Sequence, residues 1–354
     1  MDSAHRTKAR PLLHIVMSKA AGHLVPLHAT LEVTYRCNLR CKHCYIDLPS
    51  DDELSFTEWR DAIGQLKSAG CLYLLLTGGE PLVRPDFLDI ARHAKQQGFI
   101  LMILTNGTLI TPEIAREIAS LHPLFVGLSI YGATDETHDG ITGRVGSLRA
   151  TMRGIRLLQQ HGVVVKLQTM LMDSNVHEAA DVRRLADDMG VPLDLNHDLA
   201  PTKCGALSPQ CYQLSQEQMA MYTDADWIVQ SESGSDDHSG ICKAGRAICS
   251  ISPNGSVFPC MMMPFEIGNL RQETFSEIWN SPPGSKLSYL RGLTEADLRE
   301  CVDCDLMKYC QRCMGRSLTE TGELTKPAPS ACRKAAVRWK ALIRRREVRR
   351  EEAI

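Results

Sequence analysis

The chain has 354 residues, is 44% hydrophobic but only 5% aromatic, and carries a formal net charge of −2 and 14 cysteines. That length accommodates one large α/β unit with a smaller module, or two domains. The balanced charge gives no global attraction to nucleic acid or an anionic membrane, and no apolar run approaches the roughly 20 residues of a membrane span, so neither is expected as a partner.

Residues 1–30 read as an N-terminal extension. Its apolar stretch, Pro11 to Met17, is interrupted by His14 and followed by Lys19, too short a greasy core for a secretory signal. Without an export signal the cysteines are expected to stay reduced in the cytoplasm, and close spacings among them point to metal or clusters instead of disulfides.

Residues 31–200 repeat a short apolar run, a polar loop and a helical period. The runs are Leu31–Thr34, Leu72–Leu76, Phe99–Leu104, Leu124–Ile130, Val163–Met170 and Val191–Leu195. Between the first two, Trp59, Ile63 and Leu66 share a helical face, and Ser55 with Glu58 makes a capping-box start. Continuous apolar runs separated by helices predict a parallel sheet, either a partial (β/α)6 barrel or an open doubly wound sheet. The absence of a GxGxxG fingerprint favours the barrel. Polar features follow each run: the loop from Cys37 to Tyr45, Gly78-Gly79-Glu80-Pro81, Thr105 to Thr108, Ser129, Asp173 to Asn175, and His197-Asp198. Strand carboxyl ends form the active face of such barrels.

From residue 201 the pattern changes. Residues 201–240 read as a bridging region, with a flexible connection from Gln230 to Gly240, and residues 241–332 as a cysteine-rich module. Within it, Pro253-Asn254-Gly255 marks a hairpin turn between Ile248–Ser252 and Val257–Phe258. Residues 333–354 read as a basic helix, nine Lys or Arg against three Glu, whose Ala336, Trp339 and Ile343 stripe is expected to pack on the module.

The cysteines fall into groups. Cys37, Cys41 and Cys44 form a C-x3-C-x2-C loop. Four thiolates are the usual complement of a cubane iron–sulfur cluster, so three would leave one iron open to bind a small molecule. Cys242, Cys249, Cys260, Cys301, Cys304, Cys310, Cys313 and Cys332 form a second group of eight, enough for two fully ligated clusters. Cys71, Cys204 and Cys211 remain unassigned. Zinc is the alternative for the module, because paired C-x2-C knuckles also bind it tetrahedrally.

The Cys37-x3-Cys41-x2-Cys44-Tyr45 loop followed by Gly78-Gly79-Glu80-Pro81 resembles the radical S-adenosylmethionine (radical SAM) superfamily, and the cysteine-rich end looks like its SPASM extension. The likeness covers roughly residues 30–332. It implies a partial barrel in which Cys37, Cys41 and Cys44 hold a 4Fe–4S cluster whose open iron chelates SAM. By the same resemblance Gly78 and Gly79 let the backbone approach the methionyl ammonium, and Glu80 supplies a compensating charge. Asn106 and Ser129 would bond the nucleoside or methionyl carboxylate, His43 and Tyr45 would flank the cluster near adenine, and Arg144 is the candidate for the SAM carboxylate. Two auxiliary 4Fe–4S clusters are implied, one on Cys242, Cys249, Cys260 and Cys313, the other on Cys301, Cys304, Cys310 and Cys332. Two features depart from the family pattern: Cys310 and Cys313 are separated by two residues where three are common, and Cys249 is not universal.

The segment Ser129 to Thr134, with His138-Asp139 and Thr142-Gly143, looks like members that modify peptides. The implied reaction is reductive SAM cleavage followed by hydrogen abstraction from a ribosomally made peptide, installing a crosslink or related modification. A small molecule or cofactor precursor is the alternative substrate. Sulfatase maturation is disfavoured because Met261 stands where those members carry an acidic residue. A zinc-binding interaction module without catalysis is the alternative of another class. His197 and Asp198 are candidate proton acceptors on the substrate side. A flavodoxin- or ferredoxin-like electron donor is implied. Because 36 residues precede Cys37, leader recognition is assigned to a separate protein or to the barrel itself.

Overall fold

The structure is a computed structural model that describes residues 9–47, 52–203, 205–223 and 242–351. Cys204 and the 230–240 connection lie outside the described residues. The six apolar runs become β1 (His28–Thr34), β2 (Tyr73–Gly78), β3 (Ile100–Thr105), β4 (Phe125–Ser129), β5 (Val165–Met170) and β6 (Leu193–Asn196). Each neighbour is parallel to the next, and helices connect them as the pattern required. The sheet does not close, which makes it a partial barrel.

Branched and long aliphatic residues fill the covered face: Leu31, Leu74, Leu76, Leu101, Ile103, Val126 and Leu128 are fully buried. Against them lie Trp59, Ile63 and Leu66 from the helix Phe56–Ser68, whose start is the expected box of Ser55 and Glu58. The hairpin also forms, as β7 (Ile248–Ile251) and β8 (Ser256–Phe258), with Gly255 at φ +88° and a third strand β9 (Gly268–Asn269) beyond it.

Its placement was not anticipated. β7 pairs in parallel with β1, from His28↔Ile248 to Leu31↔Ile251, so the sheet runs without a break in the order β6-β5-β4-β3-β2-β1-β7-β8-β9. This pairing buries β1 on both edges. It also decides the fate of Cys249, which lies opposite Ala29 and shares the barrel core with Leu66, Cys71 and Ile251.

The C-terminal helix, Pro329–Glu351, starts earlier than expected and presents another face. Trp339 and Ile343 are 40% and 37% exposed, whereas Ala331, Lys334, Ala335, Val337 and Ala341 are buried. Val337 joins Leu171, Val176, Leu214 and Met219 in an apolar cluster. The predicted stripe is therefore corrected: counting apolar residues alone missed that a lysine occupies the inner face.

Two glycines hold β1 and β2 together at their carboxyl ends. Gly78 has φ +138°, and a Cβ there would stand 2.1 Å from the Thr34 carbonyl oxygen; one on Gly79 would stand 2.4 Å from that of Arg36. The space is filled by the chain's own backbone, bonded through Gly79 N–H to Thr34 O at 2.8 Å and Glu80 N–H to Arg36 O at 2.9 Å. Gly78→Ala should cost about 3 kcal/mol, since overpacking and a strained φ act together. Gly64→Ala, mid-helix with open space at its Cβ, should gain about 1 kcal/mol. Urea denaturation of the two variants beside wild type measures both, and the signs should be opposite.

Candidate functional site

A cavity of about 550 Å³ opens at the carboxyl ends of the strands. Cys37, Cys41 and Cys44 all line it, with His43 and Tyr45 beside them. Their loop is tied to the barrel by Arg40 N–H to Thr142 O at 2.9 Å and Lys42 N–H to Ile141 O at 3.0 Å. Burial raises the pKa of all three thiols, and Cys44 and Cys37 push Cys41 further, to about 12. A cation or electron-poor cluster in their midst would reverse that penalty, because thiolate is the ligand form.

The ends of β2 to β5 contribute as well, and β6 does not. Gly78 and Gly79 line the cavity after β2, and Asn106 after β3. Asn106 Nδ2 donates to Asn38 Oδ1 at 2.9 Å, while Asn38 Nδ2 donates to Thr108 Oγ1 at 2.8 Å, locking the cysteine loop to the third loop. Ser129 and Tyr131 follow from β4, and Gln168 from β5. Glu80 does not line the cavity. It is fully buried beneath it, accepting from Thr105 Oγ1 at 2.6 Å, Asn106 N–H at 2.7 Å and Leu82 N–H at 3.1 Å. Burial raises its pKa, and those three bonds oppose the rise. Its carboxylate thus shapes the third loop. Arg144 is exposed at the end of the helix Asp135–Thr142, away from the cavity lining.

Tyr131 stands edge-on to His43, with ring centroids 4.6 Å apart, and stacks on His138 at 5.8 Å. His138 Nδ1 accepts the Tyr131 N–H at 3.1 Å, leaving its proton on Nε2. Burial lowers His138 and His43 to about 4, so both are neutral at pH 7.

His197 and Asp198 follow β6 but do not line the cavity. Asp198 is bound to Arg316 Nη1 at 2.5 Å and to Lys334, both buried. Burial, then Lys334, Arg338 and Arg316, lowers His197 to about 4. Asp198 thus ion-pairs the barrel rim to the C-terminal helices, while His197 Nδ1 is buried without a hydrogen-bond partner, and neither side chain reaches the cavity.

Seven of the eight later thiols separate into two places, and Cys249 lies in a third. Cys301, Cys304, Cys310 and Cys332 line one cavity of about 130 Å³. Cys242, Cys260 and Cys313 act on one another electrostatically, each of Cys242 and Cys260 being raised in part by Cys313 after burial. Cys249 does not join them. Its electrostatic neighbour is Cys71, and strand alternation turns both Cys249 and Ile251 into the barrel core. Among the described residues no three or more His, Cys, Asp or Glu close in to the spacing of a single metal ion. Two of the sets, Cys37 with Cys41 and Cys44 and Cys301 with Cys304, Cys310 and Cys332, stand around cavities, an arrangement suited to a multi-atom group, and the three- and four-thiol sets fit iron–sulfur cubanes in donor type.

A family model described as the radical SAM superfamily matches residues 31–186, and one described as an iron-sulfur cluster-binding domain matches residues 242–314. The chain is also 32% identical over 286 residues to the mycofactocin maturase MftC of Mycobacterium ulcerans, spanning 73% of this chain and 75% of that protein. It belongs to the radical SAM superfamily and carries a C-terminal SPASM domain. As a radical SAM enzyme it binds SAM and iron–sulfur clusters. Other relatives are the subtilosin biosynthesis protein AlbA of Bacillus subtilis, 30% identical over 83% of this chain and 68% of that protein, and the AdoMet-dependent heme synthase of Methanosarcina barkeri, 29% identical over 84% and 94%. Among solved structures, Streptococcus suis SuiB bound to its precursor peptide SuiA superposes with a TM-score of 0.71 at 15% identity, covering 94% of this chain and 82% of that one.

Several contacts around this cavity were not assigned by the sequence. Glu32, fully buried on β1, accepts from Lys203 Nζ at 2.6 Å, Tyr45 Oη at 3.0 Å and Tyr35 Oη at 3.3 Å. Lys203 also lies within 6 Å of the Tyr35, Tyr45 and Phe258 rings. Met261, noted in the sequence only for standing where sulfatase maturases carry an acidic residue, lines the cavity of the three thiols from beyond the barrel, one residue after Cys260. Cysteine spacing pointed to Met261 through Cys260, but no spacing or charge pattern links Glu32 to Lys203.

The neutral His138 gives a pH signature. Its folded pKa of about 4 lies below the unfolded 6.5, so the unfolded chain takes up a proton first as pH falls. Stability should be level above pH 6.5 in this respect and decline between 6.5 and about 4, by up to about 1.4 kcal/mol per pH unit. His138→Gln should remove that share of the wild-type slope over the window in urea titrations of metal-free protein, leaving the parts due to His43 and His197, which are lowered to about 4 as well.

Proposed function

We propose that this enzyme modifies a ribosomally made peptide, cleaving SAM reductively and abstracting hydrogen from an unactivated carbon to install a crosslink or related modification. The observation that carries the radical chemistry is the trio of Cys37, Cys41 and Cys44 on one cavity wall, with no fourth protein thiol lining it among the described residues. The names of AlbA and MftC, relatives at 30% and 32% identity, support the peptide class. In this reading the barrel spans 31–200 and the auxiliary-cluster module 241–332.

Held by Cys37, Cys41 and Cys44, an iron–sulfur cluster together with SAM would supply a one-electron hydrogen acceptor at this cavity. The chain's residues do the rest. Cys37, Cys41 and Cys44 hold the cluster as thiolates. The backbone of Gly78 and Gly79, set by its bonds to Thr34 and Arg36, presents a wall for the methionyl group, and Asn106, Ser129 and Gln168 offer polar atoms to the ribose and carboxylate. His43, Tyr45 and Tyr131 give an aromatic face for adenine. Being neutral, His43 adds no charge against the sulfonium. Met261 adds an apolar thioether to the cavity lining from beyond the barrel.

Cys301, Cys304, Cys310 and Cys332 hold one auxiliary cluster, and Cys242, Cys260 and Cys313 hold the other with three thiols among the described residues. That makes three clusters in all. A flavodoxin- or ferredoxin-like protein provides the electron.

A second reading rests on the relative named AdoMet-dependent heme synthase, whose length is matched over 94%. It would place a tetrapyrrole in the same cavity.

Anaerobic protein incubated with SAM and a strong reductant should release 5′-deoxyadenosine. Cys41→Ala should abolish it, and Cys304→Ala should leave uncoupled cleavage within about tenfold of wild type, a difference of about 1.4 kcal/mol. Product formation retained in Cys41→Ala would remove the basis for this reading. Mass spectrometry with a cysteine-bearing precursor peptide and, in parallel, an iron tetrapyrrole decides the substrate class. Separately, Cys249→Ala should keep wild-type iron and sulfide content at all sites, whereas Cys260→Ala should lose about four irons per chain.

A further inference from the structure

The C-terminal helices carry more buried positive charge than protein carboxylates answer. Arg316 follows Cys313 by three residues and is 3% exposed; Lys334 follows Cys332 by two and is 5% exposed. Both reach Asp198. Arg338, one helical turn beyond Lys334, donates to Tyr309 O at 3.2 Å and Gln311 Oε1 at 2.8 Å, and acts electrostatically on both Lys334 and Cys310. The charges therefore run in sequence from one thiol set to the other: Cys313, Arg316, Asp198, Lys334, Arg338, Cys310.

The remaining groups facing this chain do not balance it. Glu320 lies near Arg316 but is bonded to Ser330 N–H at 2.9 Å and to the Ser330 hydroxyl. His197 is neutral, with its Nδ1 unpartnered. Arg316 Nε has no partner either. Arg312, on the wall of the four-thiol cavity, adds a fourth cation, held by the Leu324 and Thr325 carbonyls with its Nε and one Nη unpartnered. With Glu300, which lines the same four-thiol cavity as Arg312, four cations stand against three carboxylates; the two buried ones, Arg316 and Lys334, share the single half-exposed Asp198, and that local surplus would be costly unless anions stand on either side. Cubanes ligated by thiolates are such anions.

We propose that Arg316, Lys334 and Arg338 are built-in counter-ions of the two auxiliary clusters, raising the reduction potentials of both, and that Asp198 at the barrel rim tempers them. The inference rests on reading the two thiol sets as cluster sites. It assigns the helix a role in tuning: a fixed positive charge favours the more negative, reduced cluster, and a carboxylate opposes it. The three cations are positioning residues in this sense, acting through the clusters and not on substrate.

The test uses the full-length chain with Cys37, Cys41 and Cys44 replaced together by Ala, so that the auxiliary signals stand alone. After anaerobic reconstitution, iron and sulfide are assayed and the clusters are titrated by electron paramagnetic resonance at set potentials. Arg316→Met and Arg338→Met should each lower the reduced-to-oxidised ratio at a fixed potential about tenfold, equivalent to about 59 mV for a one-electron couple. Arg316→Lys should restore most of it. Asp198→Asn should shift the ratio the opposite way, which a merely structural role would not do. Unmoved midpoints in both Met variants at full iron content, or a downward shift in Asp198→Asn, would overturn the proposal. Should Arg316→Met fail to hold iron, Arg338→Met and Asp198→Asn decide by the same signs. Absence of iron from the parent protein would instead count against the cluster reading itself.

Discussion

The close contact between the ends of β1 and β2 sets the geometry of everything above the sheet. Thr34 O accepts the Gly79 N–H at 2.8 Å only because neither Gly78 nor Gly79 has a side chain to intervene. That contact fixes the point from which the cysteine loop departs, and so the direction in which three thiols face. The glycines were expected to make room for a ligand. They make room first for the strand next door, and the cavity wall follows from that.

Carboxylates do the same work repeatedly around the rim. Glu80 gathers the third loop, Glu178 accepts from Ala133 N–H at 2.6 Å and the Thr134 and Thr137 hydroxyls, and Asp139 takes Leu148 N–H at 2.9 Å and Ser147 Oγ at 2.7 Å. Each buried acceptor satisfies donors that a loop would otherwise leave unpaired. Ordering by such acceptors gives a rigid mouth, as radical chemistry demands of the residues around it. Glu32 extends the principle downward, tying Tyr45, next to Cys44, to Lys203 of the bridging region.

The six strands were legible because short, near-continuous apolar runs set between amphipathic helices suit a sheet buried on both faces, and each falls within three residues of its expected place. The cysteine loops were legible because spacing constrains thiols strongly. Cys249 shows where spacing misleads: its position along the chain fits a ligand, but β alternation from the fully buried Ile251 puts it in the core. Trp339 and Ile343 show where periodicity misleads, because a helix face whose cations meet a carboxylate can be buried without being apolar. The union of β7 with β1 had no local signature at all. Parallel pairing between distant segments is specified by packing, which no window of sequence contains.

That union has a mechanical consequence. A module appended through a linker would be free to swing, and any gap an electron had to cross would vary with it. Here four residues of β7 are stitched along β1, the same strand that launches the cysteine loop. The separation between the two thiol-bearing ends of the protein is therefore set by a shared backbone lattice, and tunnelling rates between clusters held there would be fixed at folding instead of being gated by motion.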